Sequence, residues 1–293
     1  MKKLAFLTMK NLSGFVSDDR LCYAPLADLG WEVVEVPWEN EGTDWGQFAS
    51  VLIRTPWNYQ DHPEQFMARL AEIEASGILL ENPLPLVRWN YRKTYLRDLR
   101  EKGVSIVPTV WREAGELRGL DVFFDEFSCQ ELIVKPVVGA NADHTFRLGR
   151  AQLPELQNRL KESFAGRAFM IQPFLPAVLA EGEFSVFYFG GQMSHAIVKI
   201  PKPGDFRVQE EHGGLICAIH AGQALRDAAD QVFANITPVP LYGRVDLVRD
   251  PAGRFRLMEL ELIEPSLYLR MHPDAPKNFA EALDRWISAD RKK

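Results

Sequence analysis

Cysteine is scarce: the 293-residue chain holds three, Cys22, Cys129 and Cys217, with no Cys-x-x-Cys pair. This excludes a disulfide framework and a cysteine zinc site, and it fits a reducing compartment. Positive charge is also in deficit. The 34 Lys and Arg against 40 Asp and Glu leave a formal net charge of −6. A general nucleic-acid binder needs a basic face to displace counterions, so that class is excluded; a local basic patch for a small anion is not. No apolar run approaches the ~18 residues of a membrane span. The opening MKKLAFLTMKNLSG holds only the short stretch Leu4–Met9, interrupted by Thr8 and ended by Lys10. It reads as a first strand rather than a signal peptide, and the expected location is cytoplasmic. Several motifs are missing as well: Gly-x-x-x-x-Gly-Lys-Ser/Thr, Gly-x-Gly-x-x-Gly, Gly-x-Ser-x-Gly and any His-x-x-x-His spacing. P-loop, dinucleotide, serine-hydrolase and histidine-metal chemistries lose their main support.

What is present is a globular composition, 46% hydrophobic and 25% charged, on a chain long enough for roughly two or three domains. Up to about residue 80, strands and helices alternate, which predicts a parallel α/β unit. Lys3–Thr8, Glu32–Val36 and Val51–Arg54 read as strands. Asp18-Asp19 reads as the cap of a helix running to Leu29, and Pro63–Ser76 as a second helix. Trp31 and Trp38 flank a strand and are expected to pack. Asn82-Pro83-Leu84-Pro85 reads as a hinge, and Trp89–Lys102 as one helix closed by Gly103. A second α/β unit follows: strands Glu131–Lys135 and Thr145–Leu148, helix Leu153–Phe164, strand Ala168–Gln172. Pro173 and Pro176 suggest another hinge. Beyond it, Glu183–Phe189 and Gln192–Ile200 flank Gly190-Gly191, a hairpin signal. Then come a long loop, helix Ala221–Asn235, an acidic hairpin and helix Ala275–Ala289.

The acidic hairpin joins Leu241–Val248 to Arg254–Ser266 through Asp250-Pro251-Ala252-Gly253. Strand side chains alternate faces. With an even loop, Arg244, Asp246, Glu259 and Glu261 share one face, and Val245, Leu247, Met258, Leu260 and Leu262 the other. Clustered carboxylates repel and call for solvent, a proton or a cation; hard oxygen donors suit Mg²⁺. A hairpin with one wet face is the plainer alternative. Lys135 ends the buried run ELIVKP, where α/β folds place ligands, though a strand-end lysine also snorkels. The loop after it, Pro136–His144, could bring N–H groups to an anion. Lys93 sits one turn into the Trp89–Lys102 helix. Arg207 lies in the glycine-bearing loop IPKPGDFRVQEEHGG, free to clamp an oxyanion or to pair with Glu210 or Glu211. Lys199 ends SHAIVKI as a second cation. Glu183 follows Gly182 and either accepts from a hydroxyl or faces water. Arg54, in LIRTPWNY, either grips a substrate carboxylate or pairs with Asp61 or Glu64.

The order of these pieces resembles the ATP-grasp superfamily, nearest to the prokaryotic glutathione synthetase and O-ureido-D-serine cyclo-ligase groups. NPLPLVRWNYRKTYL, GVSIVPT, IVKPVVGA, FMIQPFLP, HAIVKIPKPGDFRVQ and RVDLV…ELELIEPSLYL carry the resemblance, over roughly Asn82 to Leu269. It implies an α/β (α+β) fold: a parallel domain at 1–85 and two lobes, 86–168 and 169–293, clasping ATP. Lys93 and Lys135 would hold phosphates, and the hinge Gln172, Pro173, Phe174 and Leu175 would meet adenine through backbone groups. Glu183 would meet ribose. Asp246, Glu259 and Glu261 would bind Mg²⁺, with Mn²⁺ as the alternative ion, and Arg207 would stabilise a tetrahedral intermediate. Arg54, Lys199, Arg244 and Ser266 are substrate candidates, with Tyr268 beside the acceptor. This sequence departs from the pattern at Glu261, where many relatives have Asn, at Phe184, where several carry a basic residue, and in the single glycine of the 136–144 loop. The implied activity is a carboxylate–amine ligase or cyclo-ligase working through an acyl phosphate on a small amino-acid-like substrate. A kinase on the same fold and a non-catalytic nucleotide-binding module are the alternatives. No nucleic-acid or membrane partner is expected, and a homodimer is one option.

Overall fold

The computed structural model describes residues 1–139 and 142–290, the latter without the Asp290 side chain. Ala140 and Asn141, part of the expected anion loop, lie outside the described residues. Apolar strands near the N-terminus pair in parallel: β1 (Lys2–Thr8), β2 (Trp31–Pro37), β3 (Ser50–Thr55) and β4 (Leu79–Glu81), in the order β2-β1-β3-β4. Every residue of β3 is buried, as a central parallel strand covered on both faces requires. α1 (Tyr23–Asp28) and α2 (Pro63–Ala75) connect these strands. The expected helix from Asp18 is shorter than read, because Asp19–Cys22 is a 3-10 turn and Asp18 makes no cap. Both aspartates are drawn into tertiary ion pairs, Asp19 with Arg54 and Asp18 with Arg270.

The Trp89–Lys102 helix is in fact two, α3 (Leu84–Asn90) and α4 (Tyr95–Glu101). Long-range bonds at the break replace helical ones: Asn90 Nδ2 donates to Leu260 O at 2.9 Å, and Lys93 N donates to Val137 O at 2.8 Å. The supposed hinge at 82–85 is a clamped joint. Asn82 is fully buried, donates to Tyr242 O (2.9 Å) and Leu262 O (2.6 Å), and accepts from Leu241 N (2.8 Å). Pro83 and Pro85 sit at the start of α3, where a missing N–H costs nothing.

The middle of the chain forms a second sheet, β5 (Val110–Arg112), β6 (Glu131–Pro136), β7 (Phe146–Gly149) and β8 (Phe169–Pro173), ordered β5-β8-β6-β7. Its pairings are antiparallel, so the antiparallel part of the fold starts earlier than the second proline pair. α5 (Val122–Glu126) and α6 (Leu153–Phe164) contribute to the core beside it. After α7 (Ala177–Ala180), the chain builds the third sheet from β9 (Glu183–Phe189), β10 (Gln192–Ile200), β11 (Leu215–Ile219), β12 (Tyr242–Arg249) and β13 (Phe255–Glu261). Its order is β11-β10-β9-β12-β13. β11 occupies what reads as loop in the sequence; an edge strand with half-wet side chains lacks the buried pattern that marks β9. α8 (Gln223–Phe233) packs on β12 and β13, while α9 (Ala275–Asp290) packs on β9 and β10 and against α1. One apolar cluster therefore joins β1 and β3 to β9 and α9, holding the first sheet against the third.

Candidate active site

Antiparallel pairing of β12 with β13 sets Arg244 opposite Glu261 and Asp246 opposite Glu259. The sequence expectation for this polar face is met. Carboxylate oxygens of Asp246, Glu259 and Glu261 lie within 4.8 Å of one another. The register shifts between Asp246 and Leu247, so Met258 is the extra residue of a bulge. Met258 therefore leaves the leucine face on which it was expected and lines the cavity in front of the carboxylates.

That cavity also receives Lys93 and Lys135, the β8 end Gln172–Leu175, Glu183, Lys199, Arg207 and Ser266. Asp246, only 1% exposed, lies beneath it. The break between α3 and α4, rather than a helix face, presents Lys93. Its Nζ donates to Gly139 O at 2.5 Å and lies 3.0 Å from Glu259 Oε1. The β8 end uses its side chains internally: Gln172 Nε2 donates to Thr109 Oγ1 at 2.9 Å, and Arg147 stacks 3.9 Å over the Phe174 ring. Phe174 N donates to Glu131 O at 2.9 Å, which withdraws it from any ligand.

Buried charge forms a chain beneath the cavity. Lys199 pairs with Glu183 and lies 3.4 Å from Asp246. Arg244 Nε donates to Asp246 Oδ1 at 3.0 Å, its Nη2 pairs with Glu261, and its Nη1 donates to Ser266 O at 3.3 Å. Ser185 Oγ adds a 2.5 Å bond to Asp246. Glu183 thus neither faces water nor stands free. Gly182 makes this approach feasible, since a Cβ there would meet Lys199 O at 2.6 Å.

Electrostatics separate the carboxylates. Burial pushes Asp246 up, but Arg244 and Lys199 outweigh it and hold the group below its ordinary value. Glu259 behaves alike under Lys93 and Lys135. Burial raises Glu261 to about 8; Arg244 opposes this, and the charges of Glu259 and Asp246 reinforce it. Burial lowers the Lys135 ammonium despite Glu259. Lys199 is driven down by burial, yet Asp246 and Glu183 carry it above its ordinary value.

Arg207 lines the cavity on its own loop, where it pairs at 2.8 Å with Asp205, not with Glu210 or Glu211. Glu210 is taken by Arg270 (2.7 Å), which also holds Asp18 at 2.9 Å and so joins this loop to the N-terminal unit. Gly214 lets the loop fold back on itself, since a Cβ would lie 2.0 Å from Val208 O. Arg54 is the clear correction. It is 1% exposed, bonds Asp19 (2.9 Å) and Pro265 O (3.1 Å), and is not among the cavity-lining residues. Asp61 and Glu64 are not its partners, because β3 is central and its side chains turn into protein. His195 is buried, its ring centroid 4.2 Å from that of Phe187, and bonds Leu267 O at 3.0 Å.

Sequence reasoning missed Phe15, Trp57, Tyr59, Tyr91 and Glu264, which line the cavity beside the first sheet. The continuation of the acidic pattern through ELELIEPS and the aromatic run TPWNY were the available signals. The three clustered carboxylates form an all-oxygen donor set of the kind that suits Mg²⁺.

Comparison with known proteins follows this geometry. The family model for the N-terminal domain of D-cycloserine synthetase DcsG matches residues 4–82. Cycloserine biosynthesis protein DcsG of Streptomyces lavendulae is 31% identical over 261 residues, covering 84% of this chain and 86% of that protein. The crystal structure of D-cycloserine synthetase DcsG superposes with a TM-score of 0.86 at 28% identity, over 97% of this chain and 99% of that one. D-alanine–D-alanine ligase from Bacillus anthracis shares the fold, with a TM-score of 0.69 at 14% identity over 100% and 99% of the two chains.

Proposed function

This chain belongs to the ATP-grasp superfamily and is an ATP-dependent ligase forming carbon–nitrogen bonds, and we propose how its residues divide that work. The reading is carried by one observation: Lys93, Lys135, Glu259 and Glu261 line a single cavity, with the Asp246 carboxylate within 4.8 Å of the other two. ATP would lie between the lobes formed by 86–168 and 169–293. Leu175 N–H is the hinge donor suited to adenine, since Phe174 N–H is engaged. Glu183 sits where it can turn one carboxylate oxygen to ribose while Lys199 keeps the other.

Within the chain, Lys93 holds Glu259, Lys199 holds Glu183 and Asp246, and Arg244 holds Asp246 and Glu261. A triphosphate competes for these cations. Lys93 would then exchange Glu259 for a phosphate oxygen, Lys135 would meet another, and Asp246, Glu259 and Glu261 would be left as ligands for Mg²⁺, or Mn²⁺. The bound divalent ion supplies charge neutralisation on the phosphates. Lys93 and Lys135 stabilise charge on the phosphoryl oxygens as the substrate carboxylate attacks the γ-phosphorus. ADP leaves, and the carboxylate becomes an acyl phosphate. A nitrogen nucleophile adds to the acyl carbon, Arg207 meets the oxyanion, and phosphate departs. The loop bearing Arg207 lines the cavity and would help to exclude water that would hydrolyse the acyl phosphate.

The similarity to DcsG supports a small amino-acid-like substrate, with ring closure if the attacking nitrogen belongs to the same molecule. O-ureido-D-serine is the first compound to test. Incubated with MgATP and hydroxylamine, the protein is expected to yield a hydroxamate and free phosphate. Phosphorylated compound without hydroxamate would establish the kinase alternative, and absence of MgATP binding by calorimetry would refute both.

A further inference from the structure

The cavity has two chemically distinct ends. Around the carboxylate cluster its lining is rich in Lys and Arg, whereas beside the first sheet it is aromatic and acidic. Phe15 and Trp57 have ring centroids 5.4 Å apart, and Tyr59 and Tyr91 6.2 Å apart. Glu264 stands among them, three residues beyond Glu261 in the chain. Trp57 Nε1 donates to the Glu264 backbone carbonyl at 3.0 Å, and the Tyr59 hydroxyl donates to the Glu264 carboxylate. The residue is thus positioned at both its backbone and its side chain.

No basic side chain accompanies it at this end among the described lining residues. Arg54, a candidate receptor for a substrate carboxylate, is buried on β3 in an ion pair with Asp19. Lys93 is the cation whose field reaches Glu264, and it is held by Gly139 and Glu259. Burial pushes the Glu264 carboxyl up to about 7, with the Tyr59 bond opposing, so a cation is the partner it lacks. Electron-rich ring faces attract the same partner. A substrate carboxylate would instead meet another carboxyl group here in Glu264.

We propose that Glu264, framed by Trp57, Tyr59 and Tyr91, is the specificity residue that holds the ammonium group of the substrate. The assignment rests on the ligase reading above and refines it. Ammonium recognition at this end leaves the substrate carboxylate facing the lysines and the metal-binding carboxylates, where phosphorylation occurs. Glu264 and Glu261 line the same cavity, three residues apart in the chain. That adjacency fits a compact molecule whose amine and carboxylate sit on the same carbon, so the substrate class is an α-amino acid with a free amine.

The test is MgATP-dependent phosphate release with O-ureido-D-serine and both enantiomers of serine and alanine, each as free amine and as N-acetyl derivative. The free amines are expected to outperform their N-acetyl forms at least tenfold in kcat/KM. Glu264→Gln should raise KM for the amine at least tenfold, erase that preference and leave KM for ATP within twofold. Glu264→Asp should restore part of it. A melting curve of each variant checks folding, and Trp57→Phe, which removes the bond to the Glu264 carbonyl, should weaken the preference independently. Equal use of free and acetylated compounds, an unchanged preference in Glu264→Gln, or no response to any amine while MgATP still binds would each overturn the assignment. Loss of MgATP binding in the wild-type protein would instead strike the ligase reading itself.

Discussion

Arg54 and Arg244 are both buried beside an aspartate, yet their surroundings give them opposite roles. Arg54 meets one carboxylate, the backbone carbonyls of Ile53 and Pro265, and the faces of Tyr242 and Phe279, with centroids 5.0 and 5.9 Å away. It pairs with Asp19, does not line the site cavity, and joins the first sheet to the segment after β13. Arg244 shares its carboxylates with Lys199 and opens on the cavity. Buried ion pairs set apart from the cavity hold elements together. Networks with exchangeable partners are ready to receive a ligand's charge.

Breaking the second network should cost activity while sparing the fold. Glu259→Gln is expected to lower phosphate release about a thousandfold, roughly 4 kcal/mol of barrier, with melting temperature little changed. Breaking the first should do the reverse. Arg54→Met strands Asp19 and should cost about 3 kcal/mol in denaturant unfolding, with activity per folded molecule preserved. A buried histidine extends the scaffold side of the contrast. Burial lowers His195 to about 4 from 6.5. As pH falls below 6.5 the unfolded chain takes up this proton first, so stability drains away between about 6.5 and 4. This should total about 3 kcal/mol by chemical denaturation at several pH values, and His195→Gln should flatten that part of the profile. The mildest effect belongs to Lys135→Met. It should weaken MgATP binding about tenfold by calorimetry, with unfolding stability kept, because burial already penalises this ammonium.

Local pattern made much of this architecture legible. α6 and the β9–β10 hairpin have the residues expected of them, because helical amphipathicity and a Gly-Gly turn act within a few residues. The acidic face was legible for the same reason. The errors fall where distant groups decide. Asn90 and Lys93 end α3 by bonding Leu260 and Val137, which no helical period encodes. The Met258 bulge follows where the Ser105–Val107 segment exchanges bonds with Leu257, at 2.8 and 2.9 Å. Arg54 found Asp19 through packing of the first sheet. Glu264 went unremarked because its meaning depends on aromatic residues some two hundred positions away. Arg207 was legible as a cavity residue, but its partner Asp205 was not.

The double grip of Arg270 on Asp18 and Glu210 carries a kinetic implication. One guanidinium, partly open to water, fastens a loop that lines the reaction chamber to the N-terminal unit. Such contacts weaken as mobile ions crowd in. Added salt should therefore hasten the escape of finished product and, by the same loosening, let more of the activated intermediate be wasted on water.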